Sequence, residues 1–164
     1  MTTQAGLSLR SCLGRFVTGV AVVTFEADGG QPTGITVNSF TSVSMDPPLI
    51  LVSIAKRSRS HDALRGKPFC INILAAEQEE LAKRFAGRNA CGEAVWVSSA
   101  RVPQLAGVLA RMECTPWREY DGGDHTLFLG EVVDFDYRDG FALGFHTSSF
   151  TVIGEQQLGI EGVL

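Results

Sequence analysis

Three short stretches concentrate side chains able to bind or position a polar ligand. In residues 34–50, GITVNSFTSVSMDPPLI, the polar groups of Thr36, Asn38, Ser39 and Ser42 lie among Ile, Val, Phe and Leu. Alternation of apolar and polar residues fails between Asn38 and Ser42, as expected of a bulge or an end-of-strand kink that frees backbone N–H groups from a sheet ladder. Freed donors beside hydroxyls suit a flat heteroaromatic ligand with carbonyl and imine acceptors along one edge. In residues 56–62, KRSRSHD, three cations and two hydroxyls precede a short expected helix, and unpaired N–H groups at such a start favour an anion, for example a ligand phosphate. In residues 122–126, GGDHT, a histidine after a glycine-rich turn can reach a cleft, titrate near neutral pH or donate to a ligand. Each stretch taken singly also reads as ordinary surface: a Ser/Thr-rich edge strand, a solvated basic loop, an exposed turn histidine.

Other chemistries have less to stand on. No Ser/His/Asp or Cys/His set has local support, so nucleophilic catalysis lacks a basis. Neither GxGxxG nor GxxxxGKS/T occurs. The four cysteines (Cys12, Cys70, Cys91, Cys114) form no CxxC pair and the three histidines (His61, His125, His146) are widely separated, so no metal site is expected. A formal charge of −4 argues against a general nucleic-acid binder. No apolar run approaches the ~18 residues of a membrane span, and the N-terminal MTTQAGLSLRSCLGRF has no long apolar signal core. A cytoplasmic protein without membrane contact is expected.

The elements that must carry these stretches follow from periodicity. With 164 residues, 45 % apolar and 20 % charged, the chain suits one domain over residues 1–164. Residues 7–16 have helical spacing through Leu9, Cys12, Leu13 and Phe16. Residues 20–25 (VAVVTF) and 33–38 (TGITVN) flank Asp28-Gly29-Gly30 as a hairpin. Asp46-Pro47-Pro48 breaks the next run, and residues 49–54 (LILVSI) read as a buried strand. Ser60 is the expected cap of a short helix ending at Gly66. A strand at 69–74 and a helix at 77–85 follow, the latter with Leu81 and Phe85 on one face. Residues 88–104 carry no clear pattern. Strands then run from Leu109 to Tyr120, over 126–137 and over 141–145, linked by turns at 121–124 and 138–140. About seven strands with two or three short helices make a mainly β fold, an antiparallel, Greek-key-like barrel rather than a doubly wound sheet.

The order of the motifs adds what none has singly: FVTGVAVVTF, then GITVNSFTSVSMDPPLILVSI, RSRSHDALR, FCINILAAEQEELAKRFAG and YDGGDHTLFLGEVV. This succession, from about Phe16 to Val133, resembles the short-chain flavin reductases, small components that supply reduced flavin to two-component monooxygenases. TVNSFTSVSMDPP and GDHTLFLGEVV together carry most of the specificity. The resemblance implies an FMN-binding split barrel, usually homodimeric. FMN or FAD is implied near the dimer interface, with NADH or NADPH stacked on the exposed ring face.

Residue by residue, the resemblance implies that Thr36, Val37, Asn38 and Ser39 meet the isoalloxazine edge, a wall continued by Ser53 and Ala55. Ser58, Arg59 and Ser60 match the phosphate loop, and Phe85, Ala86, Gly87 and Arg88 the stretch closing over the ribityl or phosphate end. His125 corresponds to the family's histidine on the nicotinamide side, where it positions the nucleotide. His146, Ser148 and Phe150 are assigned to the same side, although GFHTSSF departs from the family's aromatic pair followed by a basic or glycine-containing stretch. Residues 88–99 also depart, which leaves the adenine end of any FAD undefined. The implied activity is NAD(P)H:flavin oxidoreduction with release of reduced flavin to a partner flavin-dependent monooxygenase. A flavin- or haem-binding carrier or sensor is the alternative, but it has no use for a nicotinamide-facing histidine. A cofactor-free interaction barrel leaves the ordered motifs unexplained.

Overall fold

The computed structural model describes residues 8–97 and 101–154. Leu7, at the expected start of the first helix, and residues 98–99 of the stretch that departs from the family lie outside them. The chain runs α1 (Leu9–Leu13), β1 (Thr18–Gly19), β2 (Ala21–Glu26), β3 (Pro32–Val37), β4 (Thr41–Met45), β5 (Pro48–Ala55) and α2 (Arg59–Leu64). It continues through β6 (Phe69–Ile73), a 3₁₀ turn (Ala76–Gln78), α3 (Glu79–Phe85), β7 (Trp96–Val97), β8 (Gln104–Leu105), β9 (Ala110–Gly122), β10 (His125–Tyr137), β11 (Ala142–His146) and β12 (Ser149–Ile153). Seven strands form one antiparallel sheet in the order β3-β2-β6-β9-β10-β5-β4, and β1, β11 and β12 form a smaller one. This is a mainly β split-barrel arrangement with few short helices.

β2 is buried along AVVTF without alternation because its two faces serve two cores. Ala21, Val23 and Phe25 pack in the barrel with Val52, Ile54, Phe69, Ile71 and Phe128. Val22, with Val20 just before the strand, packs the other way, onto Leu74, Ala82, Leu105 and Leu143. Each fully buried Val, Leu, Ile or Phe among these contributes roughly 1.5–3 kcal/mol. A buried polar cluster joins the layers: Asn72 Nδ2 donates to Val22 O (3.0 Å) and Thr24 Oγ1 (2.9 Å), while Leu105 N donates to Asn72 Oδ1 (3.0 Å). The segment before β9, patternless in sequence, is pinned there by polar bonds rather than by periodicity.

Several boundaries differ from expectation. The run after Phe40 continues as β4, with a register shift between Ser42 and Ser44. The kink between Asn38 and Ser42 is therefore a strand break, and the bulge lies beyond it. Pro47 and Pro48 sit in the β4–β5 turn and at the first residue of β5, where the missing N–H does least harm to the ladder. Ser58, not Ser60, caps α2: its Oγ accepts from Ser60 N at 3.2 Å, so Ser60 lies inside the helix. The expected helix at 77–85 opens as a 3₁₀ turn, and the first helix stops at Leu13, capped by Gly14. His125 is the first residue of β10 rather than a turn residue. Among the described residues no helix is long and apolar enough to cross a membrane.

Candidate functional site

β3, α3 and the β11–β12 hairpin converge on a cleft of about 560 Å³. β3 brings Thr36 and Val37 to it, with Asn38 just past the strand end, and Thr36 Oγ1 donates to Ala82 O at 2.7 Å, locking β3 to α3. The Thr36 hydroxyl proton is thereby engaged by the protein, leaving the exposed Asn38 carboxamide as the more available polar group here.

α3 delivers Ala86 and Arg88 through its C-terminal turn. Gly87 N donates to Arg84 O (3.0 Å) and Arg88 N to Lys83 O (3.0 Å), a Schellman motif that requires the left-handed backbone of Gly87 (φ +72°). Gly87 therefore makes the turn that aims the chain into Arg88. Phe85 stacks edge-on against Trp96 at 5.8 Å and is part of the second core rather than of the cleft wall. The hairpin supplies Phe145, Ser148, Ser149 and Phe150, the two phenyl rings 5.6 Å apart at 66°. Its turn is strained, with φ +47° at Thr147 and +64° at Ser148, and Thr147 N is held by Gly14 O at 2.9 Å. That bond also anchors α1, whose Arg10 reaches the same cleft.

The cleft rim carries more cations than anions, with Arg10, Lys83 and Arg88 beside Glu79. Lys83 is bound by Glu79 (2.7 Å) and Glu80 (2.8 Å), and these hydrogen bonds raise its pKa above the ordinary lysine value. Arg10 and Arg88 add two guanidinium groups. A neighbouring pocket of about 280 Å³ shares Val20 and Asn38 with the cleft and is walled by Phe16, Val17 and Phe40. In that wall Thr18 Oγ1 is buried without a hydrogen-bond partner among the described residues.

The remaining implied residues assemble at the end of β5. Ser39 Oγ donates to Ser53 O (3.0 Å) and accepts from Ser53 N (3.1 Å), stapling the β3–β4 link to β5. Ala55 pairs with His125 across the β5–β10 ladder, and Lys56 N donates to Asp124 O at 2.9 Å. Ser58, Arg59 and Ser60 follow at the start of α2. His125 Nδ1 lies 2.6 Å from Asp124 Oδ1, and this hydrogen bond, then the charge of the ring, holds the Asp124 carboxyl below the usual carboxylate range. A carboxylate only accepts, so Nδ1 carries the proton, and Nε2 is the ring nitrogen that Asp124 leaves unengaged. His146 pairs with Ser149 and is exposed outside the cleft wall.

Most of the implied residues thus fall into two groups: Thr36–Asn38, Ala86, Arg88, Ser148 and Phe150 around the cleft, and Ser53, Ala55, Ser58–Ser60 and His125 at the β5–β10 end, with Phe85, Gly87 and His146 in neither. Ser39 links the two groups. Arg10 was missed because no motif or periodicity marks it; only the docking of α1 on Thr147 brings it in. The cleft volume lies within the roughly 300–1,000 Å³ of small-molecule sites. Apolar Val20, Val37, Phe145 and Phe150 suit the faces of an aromatic ring, Asn38 and Ser148 its polar edge, and Arg10 and Arg88 the polar chain that leads from it. A flavin nucleotide fits this donor set. Among the described residues no group of His, Cys, Asp and Glu is arranged to hold a metal ion.

Comparison with known proteins agrees. The model of the flavin reductase like domain matches residues 13–154. FMN reductase (NADH) SmoA of Agrobacterium fabrum is 46 % identical over 147 residues, covering 87 % of this chain and 83 % of that one. Among solved structures, the NADH:FAD oxidoreductase SgcE6 of Streptomyces globisporus superposes with a TM-score of 0.84 at 36 % identity, covering 96 % of this chain and 98 % of that one. The styrene monooxygenase flavin reductase SMOB of Pseudomonas putida S12 gives 0.85 at 31 % identity, covering 93 % and 100 %. The β-barrel, the nucleotide-sized cleft with its arginine rim, and these matches across most of its length place the chain in the flavin reductase-like family.

Proposed function

We propose that the protein is an NAD(P)H:flavin oxidoreductase whose ligands meet where the cleft and the β5–β10 end adjoin. The chain reduces FMN or FAD with NADH or NADPH and supplies the reduced flavin to a partner monooxygenase. When bound, the flavin accepts the hydride that a reduced nicotinamide delivers, and the two cofactors carry the redox chemistry. The protein has to hold two ring systems face to face and favour charge developing at the polar flavin edge. Asn38 and the backbone around Ser39 meet that edge, and Ser58 and Ser60 donate to the flavin phosphate. Arg88 closes the ribityl end. His125, oriented by Asp124, offers Nε2 to the carboxamide N–H of the nicotinamide.

The observation that carries this reading is the cleft itself, which gathers the end of β3, the Arg88 turn and the Phe145–Phe150 pair around one ring-sized space. The relatives' names include both an FMN and an FAD reductase, and both flavins suit the same walls. This reading takes the chain as one domain and as a homodimer, the latter supported by Leu9, Leu13 and Phe16, apolar and 65–77 % exposed, which a second copy would cover. Its use of nicotinamide nucleotides supports a cytoplasmic location. The decisive experiment follows NADH and NADPH oxidation with FMN, FAD or riboflavin added. Flavin-dependent oxidation is the expected result; a yellow protein without turnover would make the chain a carrier instead.

A further inference from the structure

His61 takes no part in the site as described, yet it is buried beside it, 5 % exposed on the first turn of α2. Its Nδ1 lies 2.7 Å from Asp62 Oδ1 and its Nε2 lies 2.7 Å from Thr126 Oγ1. The ring also meets Phe128 edge-on, with centroids 5.7 Å apart at 73°. The Asp62 carboxylate accepts only, so Nδ1 carries the proton and the Nε2 lone pair accepts from the Thr126 hydroxyl. Both ring nitrogens are satisfied in a place where an unpaired one would be costly.

The elements joined by this bond give it a role. Thr126 is 3 % exposed and directly follows His125 on β10, so its side chain turns inward where His125 turns outward. At the other end of the bond, the α2 turn carries Ser58 and Ser60. The backbone bonds of Ser58 and His61 stay local, Ser58 N to Ala55 O (2.9 Å) and His61 N to Ser58 O (3.1 Å). The other anchors of α2 lie at its far end: buried Leu64, and Arg65 paired with Glu119 at 3.4 Å. Lys56, two residues before the turn, is tied to Asp124 O and to the Asp121 carboxylate; within the turn itself the tertiary hydrogen bond is that of the His61 imidazole.

We propose that His61 is a positioning residue whose hydrogen bond to Thr126 sets the Ser58–Ser60 turn against His125. Flavin-phosphate contacts and the nicotinamide-side histidine then keep one fixed relation. This rests on the reading of Ser58, Ser60 and His125 as ligand contacts given above.

The test is a double-mutant cycle on the full-length protein with His61→Leu, Thr126→Val and the pair, plus His61→Gln as the conservative variant. FMN dissociation, NADH KM, kcat at saturation and Tm are measured for each. Thr126→Val keeps the shape of the buried side chain and removes only the hydroxyl. It is expected to weaken FMN binding and raise NADH KM by about threefold to tenfold, the range for one lost hydrogen bond. kcat is expected to change less, the double variant to be no worse than His61→Leu, and His61→Gln to recover part of the loss. A lowered Tm with FMN affinity and NADH KM unchanged in Thr126→Val and His61→Leu would overturn the proposal, leaving the bond a stabiliser of the fold only. The underlying reading is checked separately by His125→Ala and by Ser58→Ala with Ser60→Ala. If these leave both ligands unaffected, the site assignment fails; if they act while Thr126→Val does not, the positioning role alone fails.

Discussion

At the residue scale, the Asp124–His125 pair and the two serines of α2 make different demands. Asp124 has a folded pKa below its ordinary value, so the pair contributes above that ordinary value and is lost as pH falls through the depressed one. At neutral pH Asp124 is therefore ionised and available to orient the ring. His125→Ala is expected to raise the nucleotide KM by roughly tenfold while leaving flavin affinity nearly intact, and Asp124→Ala to act in the same direction by about threefold. Steady-state kinetics against NADH, with flavin binding measured in parallel, checks both; loss of flavin binding in His125→Ala would move this residue to the flavin. Ser58 and Ser60 changed together to Ala should weaken FMN more than riboflavin. Loss of the Ser58 cap loosens α2 for either ligand by about 1 kcal/mol, whereas only FMN carries the phosphate. Equal loss for both ligands in a titration would remove the phosphate role.

Two backbone positions decide how elements present the site. Gly130 lies on β10 at a register shift, where an added Cβ would fall 2.5 Å from Phe69 Cζ and 2.8 Å from Cys114 Cβ. Both neighbours are core groups that cannot swing away, so Gly130→Ala is expected to cost about 1–3 kcal/mol in urea unfolding. An unchanged midpoint would show that β10 relaxes there. In the β11–β12 turn the opposite change applies. Thr147 is a β-branched residue at φ +47°, a conformation that costs roughly 1–2 kcal/mol and is retained beside a cleft. Thr147→Gly relieves it while adding unfolded-state entropy, for a net gain of up to about 1 kcal/mol. Its freer turn should raise NADH KM, because Ser148 and Phe150 hang from it; a Tm that falls instead would mean that the turn carries no strain.

At the scale of the molecule, exposed apolar side chains occur on several strands, and Leu9, Leu13, Phe16 and Val17 add a run of them on α1 and just after it. α1 buries none of its side chains, and Phe16 is 77 % exposed. A five-residue helix is too short to persist by itself, and the homodimer proposed above would cover its exposed leucines. Leu13→Glu with Phe16→Glu is expected to shift the protein from dimer to monomer in sedimentation. Flavin affinity should fall with it, because Arg10 rides on the same helix. A dimer that persists in the double variant would place the interface elsewhere.

Much of the barrel was legible because its strands either alternate or run apolar between clear turn signals, as in VAVVTF, FCINIL and TLFLGEVV. The two ligand-related groups of residues were legible only through the order of their motifs, since no single stretch has a composition unlike that of ordinary surface. β12 escaped notice because its turn, Thr147-Ser148, lacks the Gly or Asn that a positive-φ hairpin normally shows. Local spacing determined which segments become strands and where the chain turns, because period and turn chemistry are nearest-neighbour properties. Only the tertiary structure decided that Thr36 is engaged by Ala82, that Ser39 staples Ser53, that Arg10 joins Arg88 and that His61 reaches Thr126. Those partners are separated along the chain, and only tertiary packing brings the first, second and fourth pairs within hydrogen-bonding distance and the two arginines to one cleft.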